Sequence, residues 1–503
     1  MKIIDLLTNS ATRWPHRIAI KSKKIQLHYW QMFVDVENLS EQLKSAGCRP
    51  GVKVAVIFGN SIEYFLGFFA ISAAGGTILP LSIRMTTYET IKYMDKADVS
   101  IVITTGEYGK QLLEKWDNCG RITVIRIQYD SNKRLEIETL VSGSCKADDK
   151  NEDVALMVYT SGTTGAPKIV MLTDHQLISN MITFKSLMDF DGHNIVYCAL
   201  LLHHIYFICA QLLTHVSLAD TFVVRKSPFF IKDFLKAVES HKVTITAFVP
   251  YMAMLLAEFS ESYRFDLESL RYVTLSGAKT PKPTYRLLTK KYPQVQFINT
   301  YGMSEAGSRI SIAAPFPDRF PIESIGRPMP GVQVRIAGDD GDILPPEAAG
   351  EVEVKSSGVM KGYYKQPELT DQTIVDGWLK TGDIGKLDDK CNLFLVGRKK
   401  DIIISGGENI YPLEIEHCLL EHPSVLEAAV VGQQDGRLQE VPFAFIVCKA
   451  SQKLTPPEIV SFCKERLSSH KIPRNVKFMN ELPKLGTSKV DRNMLKQMAN
   501  KLT

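Results

Sequence analysis

Short apolar runs that alternate with amphipathic segments dominate the first 150 residues. Residues 52–58, 77–80 and 99–104 have the continuous apolar character of buried strands, and residues 63–74 and 87–97 have the spacing of helices. Strands that alternate with helices of this length predict βαβ units around a parallel sheet. No residue pattern in this part of the chain calls for chemistry, so we expect it to be a scaffold.

The pattern changes after about residue 310. Short strands separated by Gly, Pro and Asp turns predict a small antiparallel β-subdomain at about 310–397. The last hundred residues predict a compact α+β unit of two strands and two helices. We therefore expect an α/β protein with a large N-terminal domain, residues 1–399, whose sheets are rich in parallel strands, followed by a C-terminal domain, residues 400–503.

Composition narrows the class of protein. The chain has 503 residues, 45% hydrophobic and 23% charged, and a net charge of +5, which is too weak to indicate a nucleic-acid partner. The nine cysteines form no CxxC pair, which is typical of reduced thiols. The most apolar window, residues 64–81, is interrupted by Gly75, Gly76 and Pro80 and does not predict a membrane span. We expect a cytoplasmic protein without a transmembrane segment.

The segment at residues 159–168, YTSGTTGAPK, is the first candidate for chemistry. It follows an apolar run and combines four aliphatic hydroxyls, two glycines and a lysine. Small residues let backbone N–H groups approach an anion, and hydroxyls and an ammonium add donors and charge, so the segment predicts a phosphate-binding loop. It is not a Walker loop, because Ala166 and Pro167 precede Lys168 and Ile169 follows it.

A second candidate lies at residues 301–305, YGMSE. A strand that leads into a tight glycine turn, a hydroxyl and a carboxylate predicts a Mg²⁺-nucleotide site, with Glu305 as an oxygen ligand and Ser304 on a phosphate. Two adjacent histidines, His203 and His204, end an apolar run. If they continue a strand, their side chains point to opposite faces, and we do not expect a metal site there.

Taken in order, these motifs resemble the adenylate-forming superfamily of acyl- and aryl-CoA ligases, peptide-synthetase adenylation domains and beetle luciferases. The resemblance runs through YTSGTTGAPK, HHIY, SGAK, YGMSE, KTGD, GRKKDIIISGGENIYPLEIE and LGTSK, and so covers nearly the whole chain. In motif the chain is closest to the acid:CoA ligases. Such enzymes activate a carboxylic acid with Mg²⁺ and ATP to an acyl-adenylate, release pyrophosphate, and transfer the acyl group to the thiol of CoA or of a carrier-protein phosphopantetheine.

The resemblance implies roles for individual residues. The loop and Lys168 would hold the β- and γ-phosphates, Ser304 would contact the α-phosphate, and Glu305 would bind Mg²⁺. Asp383 would accept hydrogen bonds from the ribose hydroxyls. The full set implied for the nucleotide and the thiol cosubstrate is Thr160, Ser161, Gly162, Thr163, Thr164, Gly165, Lys168, Ser276, Gly277, Ala278, Tyr301, Gly302, Ser304, Asp383, Arg398, Lys400, Gly406, Gly407 and Lys489.

Within that set, Tyr301 would lie against the adenine and Arg398 would assist Asp383. Lys489 matches the catalytic lysine of the family's mobile C-terminal domain, and Lys400 matches the hinge. Domain rotation about such a hinge lets one site serve two half-reactions. The segment around Gly406 and Gly407 would face the pantetheine channel. The catalytic residues implied are Lys168, His204, Glu305 and Lys489.

The identity of the acid stays open at this point. No carboxylate lies between Asp191 and Asp220, where amino-acid-activating members carry an Asp, so an α-amino acid is disfavoured. Both aryl and fatty acids fit an apolar pocket. The candidate pocket residues are His204, Phe207, Phe248, Pro250, Gly302, Met303 and Ser308.

Three alternatives for function remain besides the CoA ligase. These are an enzyme that loads a carrier protein, a non-catalytic nucleotide-binding relative and a luciferase-like oxidative use of the adenylate. We expect a monomer or a homodimer. The chain departs from the family pattern at five positions, of which Phe207 would reshape the acyl channel most: Ile169, Asp174, Phe207, Lys279 and Ser488.

Overall fold

The computed structural model describes residues 1–23, 25–116, 121–130, 134–160, 168–225, 229–259, 265–278, 280–314, 320–406, 408–449, 452, 454–485 and 490–502. Eleven residues singled out in the sequence lie outside these ranges: Ser161, Gly162, Thr163, Thr164, Gly165, Ala166, Pro167, Lys279, Gly407, Ser488 and Lys489.

The chain forms strands in four sheets. The strands are β1 (Ile18–Lys21), β2 (Gln26–His28), β3 (Lys53–Phe58), β4 (Thr77–Ser82), β5 (Val99–Thr104), β6 (Thr123–Tyr129), β7 (Leu135–Val141), β8 (Val154–Thr160), β9 (Lys168–Thr173), β10 (Ile195–Tyr197), β11 (Thr221–Val223), β12 (Ile245–Phe248), β13 (Tyr272–Leu275), β14 (Gln296–Tyr301), β15 (Ser311–Ile312), β16 (Arg327–Pro328), β17 (Gln333–Ala337), β18 (Gly350–Lys355), β19 (Gly362–Tyr363), β20 (Ile374–Val375), β21 (Trp378–Leu387), β22 (Leu393–Arg398), β23 (Ile403–Ser405), β24 (Glu408–Ile410), β25 (Val425–Asp435), β26 (Gln439–Cys448) and β27 (Asn475–Phe478).

The helices cover the faces of these sheets. They are α1 (Ile3–Arg13), α2 (Tyr29–Ser45), α3 (Ile62–Ala73), α4 (Thr87–Lys96), α5 (Gly106–Lys115), α6 (Asp174–Leu187), α7 (Ile205–Phe207), α8 (Thr214–Val216), α9 (Ile231–His241), α10 (Pro250–Glu258), α11 (Lys282–Lys291), α12 (Pro367–Thr373), α13 (Pro412–Leu420), α14 (Pro456–Lys464) and α15 (Arg492–Asn500). A π-helical segment, Ile208–Leu213, joins α7 to α8.

The scaffold predicted for the first 150 residues is an eight-stranded sheet of order β19-β9-β8-β4-β3-β5-β6-β7. Its central strands β8, β4, β3, β5 and β6 are parallel, as the alternation of strands and helices predicts. Every residue of β3 and β5 is buried, because helices cover both faces of a parallel sheet. The edges are antiparallel, and β9 folds back on β8 as a hairpin.

A nine-stranded sheet of order β16-β15-β14-β13-β12-β10-β11-β1-β2 lies next along the chain. Strands β12, β13 and β14 are adjacent and parallel, so their carboxyl ends meet at one edge. Phe248, Leu275 and Tyr301 end these three strands. Ligands of open α/β sheets bind outside the carboxyl ends of the strands, and three of the predicted site segments therefore converge at this edge.

The β-subdomain predicted after residue 310 is an antiparallel sheet of β17, β18, β20, β21 and β22. Its predicted start at about residue 310 differs from the structure, in which its first strand, β17, begins at Gln333. The strand before it, β16 (Arg327–Pro328), belongs to the nine-stranded sheet through β15. The subdomain therefore begins about twenty residues later than its turn pattern indicates.

The predicted α+β unit at the C-terminus contains a separate five-stranded sheet, β24-β23-β26-β25 with β27 on β26. Its core includes Ile403, Ile415, Val430 and Ile446. The α/β class with parallel-rich sheets and a C-terminal domain is confirmed. Among the described residues, no helix is both long and apolar enough to cross a membrane.

Candidate active site

The hairpin of β8 and β9 flanks the predicted phosphate loop, whose residues 161–167 lie outside the described ranges. Thr160 pairs with Lys168 in the antiparallel register, so the two strand ends on either side of that loop lie side by side. The ammonium of Lys168 lies 4.9 Å from the centre of the Tyr363 ring. Strand β19 brings Tyr363 there, because it pairs with β9 through Val170. Lys168 is therefore positioned by an aromatic ring that comes from a distant part of the chain.

Tyr363 also holds Glu305. Glu305 lies in a single turn of 3₁₀ helix, Ser304–Ala306, and is only 8% exposed. The Tyr363 hydroxyl donates to Oε1 of Glu305 at 3.0 Å, and the N–H of Met360 donates to the Glu305 carbonyl oxygen at 2.8 Å. Burial and the Glu305 carboxylate raise the pKa of Tyr363, so its hydroxyl keeps its proton and remains a donor. One side chain thus orients both the predicted metal ligand and the predicted phosphate lysine.

Sequence reasoning missed Tyr363. The signal available was the tyrosine pair in GYYK, residues 362–365, which no motif distinguishes from core packing.

The second carboxylate of the site is Asp383, which is 4% exposed in β21. Asp383 pairs with Arg398 across β21 and β22, and Nε of Arg398 lies 2.9 Å from Oδ1 of Asp383. The hydroxyl of Tyr301 donates to Oδ2 of Asp383 at 2.7 Å. The structure thus brings Tyr301, Asp383 and Arg398 together, as the sequence indicates, and fixes both carboxylate oxygens.

The segment 302–309, which carries Glu305, folds back tightly after Tyr301. The N–H of Ile310 donates to the Tyr301 carbonyl oxygen at 2.8 Å and closes the loop. A Cβ on Gly302 would meet the Ser308 carbonyl oxygen at 1.5 Å, so only glycine fits. Ser308 has a φ of +104°, which is strained for a residue with a side chain. Its hydroxyl is buried and has no hydrogen-bond partner among the described residues.

The segment SGA follows β13 at the same edge. The N–H of Ser276 donates to the carbonyl oxygen of Phe248 at 3.1 Å, which joins the ends of β12 and β13. Gly277 has a φ of +88°, and Gly277 and Ala278 are exposed. These residues therefore present backbone to the space outside the strand ends.

The expectation for His203 and His204 was wrong in one respect. Residues 201–204 form a turn before α7 and not a strand, so the two rings do not point to opposite faces and their centres are 4.6 Å apart. Burial and the neighbouring His204 lower the pKa of His203. The described residues contain no group of three His, Cys, Asp or Glu side chains that could hold a metal ion. A catalytic role for His204 stays a prediction.

Phe207 and Phe248, two candidate pocket residues, are fully buried. The Phe207 ring packs edge-to-face on Phe65 of α3 at 6.1 Å, and the Phe248 ring packs on Phe234 at 5.1 Å. Phe207 therefore fills core volume. Its effect on the shape of the acyl channel stays a prediction. Pro250 and Met303 are half-buried.

Two of the departures from the family pattern have a structural explanation. Asp174 begins α6 and its Oδ1 accepts a hydrogen bond from the N–H of Ile3 at 2.7 Å, so it anchors the first turn of α1. Ile169 is fully buried in the core beside β8. Both residues stabilise the scaffold on either side of Lys168.

The C-terminal unit approaches the same edge. Lys484 pairs with Val490 in an antiparallel bridge that flanks the segment containing Lys489. The ammonium of Lys484 lies 5.6 Å from the centre of the Tyr251 ring, in the first turn of α10. Lys400 is exposed in a 3₁₀ turn, Lys399–Asp401, between β22 and β23. Gly406, with a φ of +59°, turns the hairpin of β23 and β24.

This donor set fits Mg²⁺ and a nucleotide. Mg²⁺ is usually bound by one or two carboxylates together with phosphate oxygens, and Glu305 supplies one buried carboxylate beside the hairpin of Lys168. A buried carboxylate that a Tyr hydroxyl and an Arg already orient, as Asp383 is, suits the hydroxyl donors of a ribose.

Comparison with known proteins identifies the family. The AMP-binding enzyme family matches residues 7–364, and the AMP-binding enzyme C-terminal domain matches residues 414–489. A 2-succinylbenzoate–CoA ligase of Bacillus cytotoxicus is 33% identical over 490 residues, which are 96% of each chain. The O-succinylbenzoate coenzyme A synthetase of Bacillus subtilis, solved with ATP and magnesium ion, aligns with a TM-score of 0.85 at 30% identity and covers 98% of this chain and 99% of its own.

An amide bond synthetase of Marinactinospora thermotolerans aligns with a TM-score of 0.87 at 26% identity over 99% of both chains. The chain therefore belongs to the AMP-binding enzyme family, and within it to the AMP-forming acid–thiol ligases.

Proposed function

We propose that this ligase activates 2-succinylbenzoate with ATP and transfers the acyl group to CoA. ATP and CoA are substrates of the reaction class, and Mg²⁺ is its metal cofactor. The observation that carries the proposal for the site is the pair of pre-oriented carboxylates, Glu305 on Tyr363 and Asp383 on Tyr301 and Arg398. The choice of acid is supported by the B. cytotoxicus and B. subtilis relatives, which are ligases of 2-succinylbenzoate.

Charge is the main barrier to the first half-reaction. A carboxylate oxygen must form a bond to an anionic α-phosphorus while the bond to pyrophosphate breaks, and donors placed on that charge lower the barrier. We assign Lys168, with Thr160 and the loop of residues 161–165, to the β- and γ-phosphates, and Ser304 to the α-phosphate. Glu305 would hold Mg²⁺, which supplies further positive charge to the phosphate oxygens.

Asp383 positions the nucleotide. Both of its oxygens keep acceptor capacity beyond the bonds from Tyr301 and Arg398, so they can accept from two ribose hydroxyls. The ring of Tyr301, which ends β14, would lie against the adenine. The exposed backbone of Gly277 and Ala278 would border it on the other side.

The C-terminal domain would complete the site in two orientations. We assign residues 1–399 to the N-terminal domain and residues 400–503 to the C-terminal domain, with the hinge at Lys400. Lys489 would neutralise the carboxylate and α-phosphate oxygens during adenylation, and Gly406 and Gly407 would border the pantetheine arm of CoA afterwards. A Lys400→Pro variant should then keep acid-dependent pyrophosphate release and lose thioester formation, and unchanged turnover would remove the hinge assignment.

The acid would enter at the carboxyl edge of the nine-stranded sheet. We assign His204, Pro250, Met303 and Ser308 to the rim of the acid pocket and the buried Phe207 and Phe248 to its floor. The carrier-protein alternative is not favoured, because the B. cytotoxicus and B. subtilis relatives are CoA ligases. We place the reaction in the cytoplasm, where ATP and CoA are available.

A panel of acids tests the proposal. Purified protein would be supplied with ATP, Mg²⁺ and one acid from a set of 2-succinylbenzoate, benzoates and short-to-long-chain fatty acids, with and without CoA. We expect pyrophosphate release and loss of CoA thiol in equal amounts, fastest with 2-succinylbenzoate. Pyrophosphate release without loss of CoA thiol would favour the carrier-protein alternative, and no pyrophosphate with any acid would refute the ligase assignment.

A further inference from the structure

Arg309 is a fully buried arginine that forms no ion pair with any described carboxylate. It is 1% exposed, and none of its three guanidinium nitrogens has a hydrogen bond of normal geometry to a described residue, although the Tyr206 hydroxyl lies near enough to raise its pKa. Burying a charge without an anionic partner is costly. Burial lowers the pKa of Arg309 to about 10, with Tyr206 and Cys209 acting in the opposite direction, so the group is still a cation at neutral pH. The folded chain therefore maintains a buried positive charge without an anionic partner among the described residues.

Two aromatic rings contact the guanidinium of Arg309, and a hydrogen bond to the Arg309 carbonyl oxygen fixes its backbone. Its central carbon lies 3.4 Å from the centre of the Phe184 ring and 5.6 Å from the centre of the Tyr206 ring. The side-chain amide of Asn180, one turn before Phe184 in α6, donates to the Arg309 carbonyl oxygen at 2.8 Å. Stacking on an aromatic face leaves the edge of the guanidinium, with its fork of N–H donors, available for a planar anion such as a carboxylate.

Arg309 also belongs to the candidate active site. It ends the tight segment 302–309, which carries Ser304 and Glu305 and is closed by the bond from Ile310 to Tyr301. The hydroxyl of Tyr206 donates to Oγ1 of Thr274 at 2.7 Å, and Thr274 lies in β13 one residue before its carboxyl end. The stack on Tyr206 thus connects Arg309 to the strand edge at which the acid would enter.

We propose that Arg309 binds a second carboxylate of the acid, the one that is not activated, and that the enzyme selects dicarboxylic over monocarboxylic acids through it. The inference rests on the proposed function and deepens it, since 2-succinylbenzoate carries two carboxylates. A monocarboxylic acid would leave the guanidinium buried and unpaired in the complex, and sites built for a polar group reject ligands that lack it. Arg309 is therefore a specificity-determining residue.

Three acids that differ by one carboxylate test the proposal. They are 2-succinylbenzoate, 4-oxo-4-phenylbutanoate, which lacks the ring carboxylate, and 2-butanoylbenzoate, which lacks the chain carboxylate. Acid-dependent pyrophosphate release would give kcat/KM for the wild type, Arg309→Met and Arg309→Lys. One of the two monoacids keeps the carboxylate that is activated, and the other has no group to adenylate and should release no pyrophosphate with any variant. We expect the wild type to prefer the diacid by about 100-fold or more over the monoacid that keeps the activated carboxylate, and Arg309→Met to reduce that preference to below about 10-fold.

The matched control is Arg271→Met. Arg271 directly precedes β13, ion-pairs with Asp191 at 3.2 Å and donates to Oδ1 of Asn194, so unlike Arg309 it has an anionic partner. This variant should keep the wild-type preference for the diacid. Equal losses for diacid and monoacids in Arg309→Met, or a wild type that does not prefer the diacid, would overturn the proposal.

Thermal unfolding separates this role from a structural one and from the proposed function. Without ligand, Arg309→Met should unfold at or above the wild-type temperature, because an unpaired buried charge is removed. A large decrease would show that Arg309 has a structural partner and would overturn the proposal. Added with ATP and Mg²⁺, 2-succinylbenzoate should raise the unfolding temperature of the wild type more than the monoacid that keeps the activated carboxylate does, and this difference should vanish in Arg309→Met. This binding test does not depend on catalysis. If no acid gives pyrophosphate release, the proposed function is refuted, but the binding difference still tests the role of Arg309.

Discussion

The hydroxyl of Tyr301 donates a hydrogen bond to Oδ2 of Asp383 at 2.7 Å, and this bond joins the end of β14 to the β-subdomain. The two residues are 82 positions apart, and both are buried. Because Arg398 holds the other oxygen, the carboxylate is oriented before a nucleotide binds. Such pre-orientation reduces the loss of side-chain freedom on binding.

The Tyr301→Phe variant tests this relationship. It keeps the ring but removes the donor, so Asp383 loses one of its two anchors. We expect the KM for ATP to rise about 5- to 10-fold, as for the loss of a hydrogen bond to a charged group, with kcat changed by less than about 3-fold. Tyr29→Phe is the control, since the Tyr29 hydroxyl donates to the Asp220 carbonyl oxygen at 2.7 Å in the core. It should lower stability without changing the KM, and an unchanged KM in Tyr301→Phe would contradict the role of the bond.

The Tyr363→Phe variant tests the anchor of Glu305. The ring under Lys168 stays, but the donor to Oε1 is lost, so the carboxylate is less well oriented for Mg²⁺. We expect the Mg²⁺ concentration for half-maximal pyrophosphate release to rise about 5- to 10-fold.

The adjacent tyrosine is the control for that variant. The hydroxyl of Tyr364 donates to Oδ2 of Asp98 at 2.6 Å, away from Glu305. Tyr364→Phe should leave the Mg²⁺ dependence unchanged. If both variants shift the Mg²⁺ dependence equally, the bond from Tyr363 has no specific role.

Asp174 predicts a pH dependence of stability. Burial raises its pKa, against the opposing hydrogen bond from Ile3, so the native state holds the proton more tightly than the unfolded state does. Stability then falls as pH rises through the unfolded-state and native-state pKa values. The carboxamide of Asp174→Asn cannot ionise but can still accept from the N–H of Ile3.

The difference in unfolding temperature between Asp174→Asn and the wild type should therefore become more positive as pH rises from about 3.5 to about 6, and then level off. Thermal unfolding followed by circular dichroism across this range measures it. A difference that does not depend on pH would show that ionisation of Asp174 is not penalised in the fold. Pyrophosphate release should be unaffected, since Asp174 contacts α1.

Lys489 is predicted to act in adenylation alone. Lys489→Ala should reduce acid-dependent pyrophosphate release by about 100-fold or more, while thioester formation from supplied acyl-adenylate and CoA survives. Lys496→Ala is the control, because Lys496 ion-pairs with Glu440 at 2.7 Å on the surface of the same unit. Equal loss of both half-reactions in Lys489→Ala would count against the assignment.

The local part of the fold can be read from the sequence. Strands β3 and β5 lie within a residue of the predicted runs, because their continuous apolar character reflects burial on both faces. The family resemblance implied that Asp383 and Arg398 act together, and in the structure they lie on strands that one short turn connects.

Contacts between distant segments could not be predicted. Tyr363 reaches Glu305 and Lys168 only because β19 pairs with β9, and a two-residue strand has no hydrophobic pattern of its own. The lack of an anionic partner for Arg309 is invisible in sequence for the same reason, because it depends on what α6 and α7 place around it. The turn at His203 and His204 was missed because an apolar run before two histidines looks like a strand.

Product analysis of one reaction tests the central claim most directly. The protein would be incubated with ATP, Mg²⁺, CoA and 2-succinylbenzoate, and the quenched mixture analysed by liquid chromatography and mass spectrometry. The account predicts AMP, pyrophosphate and 2-succinylbenzoyl-CoA in equal amounts. ADP and phosphate in place of AMP and pyrophosphate, or AMP formed without any CoA thioester, would contradict it.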